Sequence, residues 1–349
     1  MAPTAPGPVE DFISAEIEPR RDDMRKVRQP KKHTSILLED ARKRRRVVHK
    51  KIGTSYLLLR GGRTIGGVDG GMTTLVSEQA RRVTQSLLVT RKYLRASGVP
   101  TLPAKVFHAD QAAAAERQRL SFGSAVTIRP ASVGADGGTT VGVTTSEGFH
   151  RAWERAAEAV RGLRTLSQQV QVQAHRPGLA LRVFVVGETP AAAVVRVPLY
   201  VVGDGRSTVE ELADAEKARH QQCRYLGPLF PTVDEAFLAE GGVRLSTVPP
   251  AGEVTMLSLS SEAPGTVTVD VLEKISPELA ELAVDAMWAL PGLGATAVDI
   301  LTPSLDSAEG AAVTGVDPAA RFYEFLYPTY GTYRRCGLAI LDDMIASAS

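Results

Sequence analysis

Two β-rich apolar runs lie almost back to back in the middle of this chain: LRVFVVG at 181–187 and AAAVVRVPLYVVG at 191–203. Such runs read as strands. Segments whose apolar residues recur at helical spacing bracket them: 77–97, 146–166 and SPELAELAVDAMWAL from Ser276. Further β runs fall at 126–130, 139–144, 169–174, 295–301 and 311–317. Strands mixed with helices in this way indicate an α+β (α/β) protein. No internal repeat at about 20–50 residues is present, which excludes solenoids and propellers.

With 349 residues, 44% of them hydrophobic, the chain is long enough for one large core or several smaller ones. Its 41 Lys and Arg nearly balance 39 Asp and Glu. A protein whose main task is to coat phosphates over a broad basic surface is therefore excluded, and nucleic acid is a disfavoured partner. Two cysteines, Cys223 and Cys336, supply neither a disulfide framework nor a zinc site, pointing to a reducing, cytoplasmic setting. No apolar run approaches the roughly 20 residues needed to cross a bilayer, so no membrane partner is expected. The first thirty or so residues combine Pro, Ala and clustered charge, and composition marks residues 1–33 as flexible.

Ser35 is a candidate N-cap for an amphipathic helix whose buried side is Ile36, Leu37, Leu38 and Ala41. That helix ends in Arg42-Lys43-Arg44-Arg45-Arg46, read here as a solvated helix terminus. The helical segment 77–97 stops at Gly98-Val99-Pro100. The histidines show no paired metal spacing, and Trp153 and Trp288 are expected to pack.

Three stretches carry chemistry. The strand Val126-Thr127-Ile128-Arg129-Pro130 leads into a small-residue loop, Ala131 to Gly138, so that a cation and loop N–H groups face a possible phosphate. In Arg196 to Leu212 a strand meets the tight turn Gly203-Asp204-Gly205, and Ser207 or Thr208 is placed to cap the helix from Val209. Asp299 stands in the apolar strand Ala297-Val298-Asp299-Ile300, where a charge must be paired or metal-bound. Asp317 ends the next β run. If those strands pair, both carboxylates face one hard cation such as Mg²⁺.

The order of these pieces resembles the ATP-grasp superfamily over roughly residues 35–345, in the branch of cyanophycin synthetase and the bifunctional glutathione synthetase. The strand ending Arg129-Pro130, the loop from Ser132, and Gln173 to Gly178 with its Pro-Gly turn all follow that branch's pattern. Arg196 to Leu212 resembles its most specific signature. Ser258-Leu259-Ser260 through Asp270, and Pro328, Gly331 and Arg334, match two later motifs. Pro328 lies eleven positions after Asp317, which sets Gly315-Val316-Asp317 against the branch's Glu-x-Asn metal motif.

The resemblance implies two β-rich lobes enclosing a nucleotide cleft, with a short N-terminal extension. The corresponding divisions are 1–33, 34–104 for an N-terminal α/β subdomain, 105–180 for a small lobe with the glycine loop, and 181–349 for a large lobe. It also implies the cofactors ATP and Mg²⁺. Arg91, Arg129, Ser132, Gly134, Gly137, Gly138, Gln173 and Arg182 then fall at the nucleotide, Asp299 and Asp317 at the metal, and Arg196 and Arg334 at the reacting groups. The implied reaction is ADP-forming ligation of a carboxylate to an amine through an acylphosphate, on small amino-acid-like substrates, with a homodimer as a fold-level expectation. Several positions depart from the pattern: Arg129 for a lysine, Gln173 for a glutamate, Ala180 for a ribose-binding glutamate and Gly315 for a metal-binding glutamate. A divergent homologue with lost or altered ATP chemistry is the alternative.

Overall fold

The structure, a computed structural model, describes residues 7–27, 29–132, 137–164, 167–263, 265–319 and 321–348. The chain divides into two units assembled from interleaved stretches. One takes the chain up to Pro30, Pro103–Leu179 and Arg196–Val269, and the other takes Lys31–Leu102, Ala180–Val195 and Asp270 onward.

In the first unit an antiparallel four-stranded sheet runs in the order Ala104–His108, Gln169–Ala174, Val126–Pro130, Thr140–Val143. Strand alternation assigns its two faces. Val126, Ile128, Val170 and Val172 join Phe149 and Trp153 in a buried core. Thr127, Arg129, Gln171 and Gln173 lie on the opposite face, with Arg129 paired to Gln171 and Thr127 to Gln173. The helix Ser146–Val160 covers the core because Phe149, Ala152, Trp153, Ala156 and Val160 share one side. Thr145 starts it by accepting the Gly148 N–H at 3.0 Å. The second part of this unit packs the pair Tyr200–Val202 and Val254–Met256 against the helix Val209–Gln221 through Leu199, Val201, Val209 and Leu257.

The N-terminal residues correct the expectation of flexibility. Pro8–Phe12 is α-helical, Ile13–Ile17 forms a π turn and Glu18–Asp23 continues as 3-10 helix. Phe12, Ile13, Ile17 and Met24 are buried, Arg21 pairs with Glu216 at 2.9 Å, and the Tyr200 hydroxyl donates to Glu18 at 3.2 Å. Average composition concealed four apolar anchors spaced among charges, and two prolines sit where helical turns begin and no N–H is missed.

A five-stranded sheet, its three last-named strands almost wholly in the second unit, is ordered Val267–Asp270, Thr189–Val197, Leu179–Val186, Ala295–Thr302, Ala312–Asp317. The helices His33–Arg45 and Cys336–Ser347 bury Ile36, Leu37, Leu38, Ala41, Ile340 and Leu341 in its core. The first of these helices begins at His33 with Lys32 at its N-cap, so Ser35 lies inside it instead of capping it. Its basic end is a solvated terminus: Lys43 pairs with Glu39, Arg44 with Asp40 and Arg45 with Asp342. The segment 77–97 divides into Glu78–Thr84, capped by Ser77, and Leu87–Ala96, because Ser86 takes an extended conformation. Trp153 is buried as expected, whereas Trp288 is 60% exposed at the end of its helix. Cys223 and Cys336 are both free and buried. No helix among the described residues is long and apolar enough to cross a membrane.

Candidate functional site

The strands carrying Asp299 and Asp317 do pair, antiparallel, with Asp299 opposite Gly315 and Asp317 opposite Ala297. Residues opposite one another, and residues two apart on a strand, share a face. Both carboxylates therefore project from one side. Arg182 stands on the neighbouring strand Leu179–Val186 and reaches between them. Its Nη1 lies 2.8 Å from each Asp299 oxygen, and its Nη2 lies 2.7 Å from Asp317 Oδ2. Glu324 approaches Nε at 3.9 Å. The arginine side chain is only 6% exposed. Burial works to lower its pKa, but Asp299, Glu324 and Asp317 outweigh it and hold the guanidinium above its ordinary range. One cation among three carboxylates leaves the cluster formally two charges negative.

In the first unit Arg129 is 17% exposed, on the polar face of its sheet, and its Nη1 lies 3.2 Å from Glu262 Oε1. Thr139 Oγ1 donates to the other oxygen of Glu262 at 3.4 Å. Gln173 shares that face and accepts a hydrogen bond from Gln171 at 2.9 Å. Of the glycine-loop residues, Gly134 lies outside the described residues. Gly137 and Gly138 have φ of +75° and +78°, a region that favours glycine. Gly138 also has a packing reason: a Cβ there would meet Ala159 Cβ at 2.9 Å and Pro130 Cγ at 3.1 Å. Ser132, at the start of the loop, is partly buried.

The remaining expected residues are structurally engaged. Arg334 grips Asp270 with two bonds, Nε–Oδ1 at 3.0 Å and Nη2–Oδ2 at 2.8 Å, and also meets Glu273 at 3.0 Å. The hydrogen bond to Asp270 is the leading cause that raises its pKa, ahead of the lowering effect of burial. Gly331, at φ +96°, lets the chain pass Asp270, where a Cβ would come within 2.8 Å of the Asp270 Cβ. The Pro-x-x-Gly-x-x-Arg motif is thus a clasp around the aspartate of the motif before it. Arg91 sits on Leu87–Ala96 in the second unit, and Arg196 in the strand Thr189–Val197.

The signature around Gly203-Asp204-Gly205 is a built joint. Asp204 accepts the N–H groups of Arg206 and Ser207 and the Ser207 hydroxyl, and these bonds pull its pKa down to about 2. Thr208, one of the two expected caps, forms a reciprocal box with Glu211.

The structure thus gathers Arg182, Asp299 and Asp317, which the resemblance divides between nucleotide and metal. Sequence reading missed Glu262 and Glu324. Glu324 left no usable signal. Glu262, a carboxylate four residues after Ser258 in the insertion before Asp270, left a faint one.

The comparisons with known proteins agree with this architecture. No protein-family model matches the chain. Cyanophycin synthetase from Nostoc sp. is 28% identical over 265 residues, covering 72% of this chain and 28% of that protein. The glutathione biosynthesis bifunctional protein GshAB from Mannheimia succiniciproducens is 26% identical over 291 residues, covering 78% and 37%. The crystal structure of a bifunctional glutathione synthetase from Pasteurella multocida superposes with a TM-score of 0.58 at 22% identity, covering 90% of this chain and 44% of that one. The chain spans about a third of the length of the curated relatives it matches.

The fold is that of the ATP-grasp ligases. In sequence the chain is similar to cyanophycin synthetase and the bifunctional glutathione synthetase.

ATP-grasp ligases use ATP and Mg²⁺. The residues here fit the ion by donor chemistry: Mg²⁺ is held by one or two carboxylates, with phosphates and water completing its shell. Asp299 and Asp317, 24% and 31% exposed, are such a pair, and an ion would share with Arg182 the oxygens that the guanidinium already engages. Among the described residues there is no cage of three or more metal-binding side chains.

Proposed function

We propose that this protein is an ATP-dependent, ADP-forming carboxylate–amine ligase acting on amino-acid-like small molecules. The observation that carries the reading is the pair Asp299 and Asp317 on one sheet face, in a chain of this fold. When bound, Mg²⁺ would supply charge shielding for phosphate oxygens, and these two carboxylates would hold it. Arg182 fixes the carboxylates' positions through its fork, so the donors are ordered before any ion arrives. Arg129 offers a second cation to phosphate oxygens, and its guanidinium presents two parallel N–H donors where a lysine offers one point charge. The substrate carboxylate takes the γ-phosphoryl group, the amine attacks the acyl carbon, and inorganic phosphate leaves. The protein supplies orientation and charge compensation, with no nucleophile of its own.

The test is release of ADP and phosphate with Mg-ATP and arrays of acids and amines. Turnover that needs the acid, the amine and Mg²⁺ together is expected, and Asp299→Ala should abolish it. Equal turnover in that variant would overturn the metal assignment.

Gly315 favours a second reading, because it leaves the position opposite Asp299 without a third oxygen donor. A homologue that has lost ATP chemistry would show no thermal shift with Mg-ATP. A nucleotide-binding ligase should gain about 2.7 kcal/mol at a hundred times Kd.

A further inference from the structure

The cation offered to phosphate in the first unit already has an anionic partner from its own chain. Glu262 presents Oε1 to Arg129 and Oε2 to Thr139, at 3.2 and 3.4 Å. Thr139 lies just past the glycines of the small-residue loop, so both of the carboxylate's contacts belong to the phosphate-binding segment. The segment that carries Glu262 has local contacts of its own on the same sheet. Leu259, three residues earlier, lies against Gly142, where a Cβ would come within 2.5 Å of Leu259 Cδ1. Ser258 Oγ accepts the Ser260 N–H at 3.0 Å and tightens the bend between them.

We propose that Glu262 is an affinity-setting residue: an internal carboxylate that occupies the Arg129 guanidinium and must leave it when a phosphate group binds. This rests on the reading of Arg129 as a phosphate cation. A carboxylate and a phosphate present the same kind of acceptor to the fork, so they compete for it. Glu262 is 42% exposed while Arg129 is 17% exposed. The acid can therefore swing into solvent while the arginine stays in place, and displacement does not require the sheet to move. The effect falls on the charged part of a nucleotide and not on its base or sugar.

Calorimetric titration of the full chain tests this with three probes: Mg-ATP, inorganic tripolyphosphate and adenosine. Glu262→Gln and Glu262→Ala should tighten Mg-ATP and tripolyphosphate by roughly three- to tenfold and leave adenosine within about twofold. The gain should vanish when Arg129→Ala is added. Equal Kd for Mg-ATP in wild type and both Glu262 variants would overturn the proposal while leaving the ligase reading intact. Binding of Mg-ATP that is indifferent to Arg129→Ala would overturn the phosphate role of Arg129 and the proposal with it. Absence of binding by wild type and every variant at millimolar concentration would overturn both. Thermal denaturation of each variant confirms that it is folded.

Discussion

Two arginines, one in each unit, are paired with carboxylates in ways that differ in almost every physical respect. Arg182 is nearly excluded from solvent and meets three acids from the strand Ala295–Thr302, the end of Ala312–Asp317 and the short helix Tyr323–Leu326. Arg129 meets one acid, and that acid is substantially exposed. In the first case the guanidinium left water when the sheet formed, and its contacts with the three acids offset that desolvation. In the second, water screens the pair and the gain is small. One cluster is part of the fold, while the other is a contact that a ligand can replace.

The largest test of this contrast removes each cation in turn. Arg182→Ala removes the buried guanidinium that Asp299, Asp317 and Glu324 share and should cost about 3–5 kcal/mol in chemical denaturation. Arg129→Ala should cost less than about 1 kcal/mol. Similar losses for the two would show that burial does not separate the clusters.

Much of this is legible in the amino-acid sequence alone. Asp299 in an apolar strand demanded a partner, and the match of spacing at Asp317 placed a second acid on the neighbouring β run. Sequence could not show that the partner is Arg182. The residues are 117 positions apart and meet only because the strand Leu179–Val186 lies beside Ala295–Thr302 in the sheet. The N-terminal helical turns failed for another reason: their apolar residues are too few to register in composition, yet burial counts each side chain separately. Arg334 shows a third limit. Its motif was recognisable, but only the structure shows that its fork closes on Asp270.

A third ion cluster asks whether burial alone sets the strength. Glu216 is 4% exposed on the helix Val209–Gln221 and meets Arg21, Arg219 and His220 Nε2, the last at 3.1 Å. Burial favours its protonated form, but His220 and Arg219 outweigh burial and lower its pKa to about 2 from an ordinary 4.5. The folded state therefore binds this proton less readily than the unfolded chain does. The contribution of Glu216 is complete above pH 4.5 and disappears as pH falls toward 2. Glu216→Gln should lower stability at neutral pH by on the order of 2–3 kcal/mol and flatten the acid limb over that interval. An unchanged acid limb would place Glu216 with Arg129 instead of with Arg182.

The smallest and most discriminating change restores the acid that the resemblance would put opposite Asp299. Gly315 sits in an extended strand whose backbone accepts a side chain, and a Cβ there would lie 3.2 Å from Asp299 Oδ2. Without metal, Gly315→Glu adds a carboxylate directly across from another, so a loss of about 0.5–1 kcal/mol is expected. With Mg²⁺ the same carboxylate becomes an additional hard oxygen donor. Magnesium alone should then raise Tm more in Gly315→Glu than in wild type, and the difference should vanish on chelation or when Asp299→Ala is added. A magnesium shift equal in both proteins would mean that Arg182 holds the aspartates too firmly for a divalent ion to share them, and the buried cluster would then be purely structural.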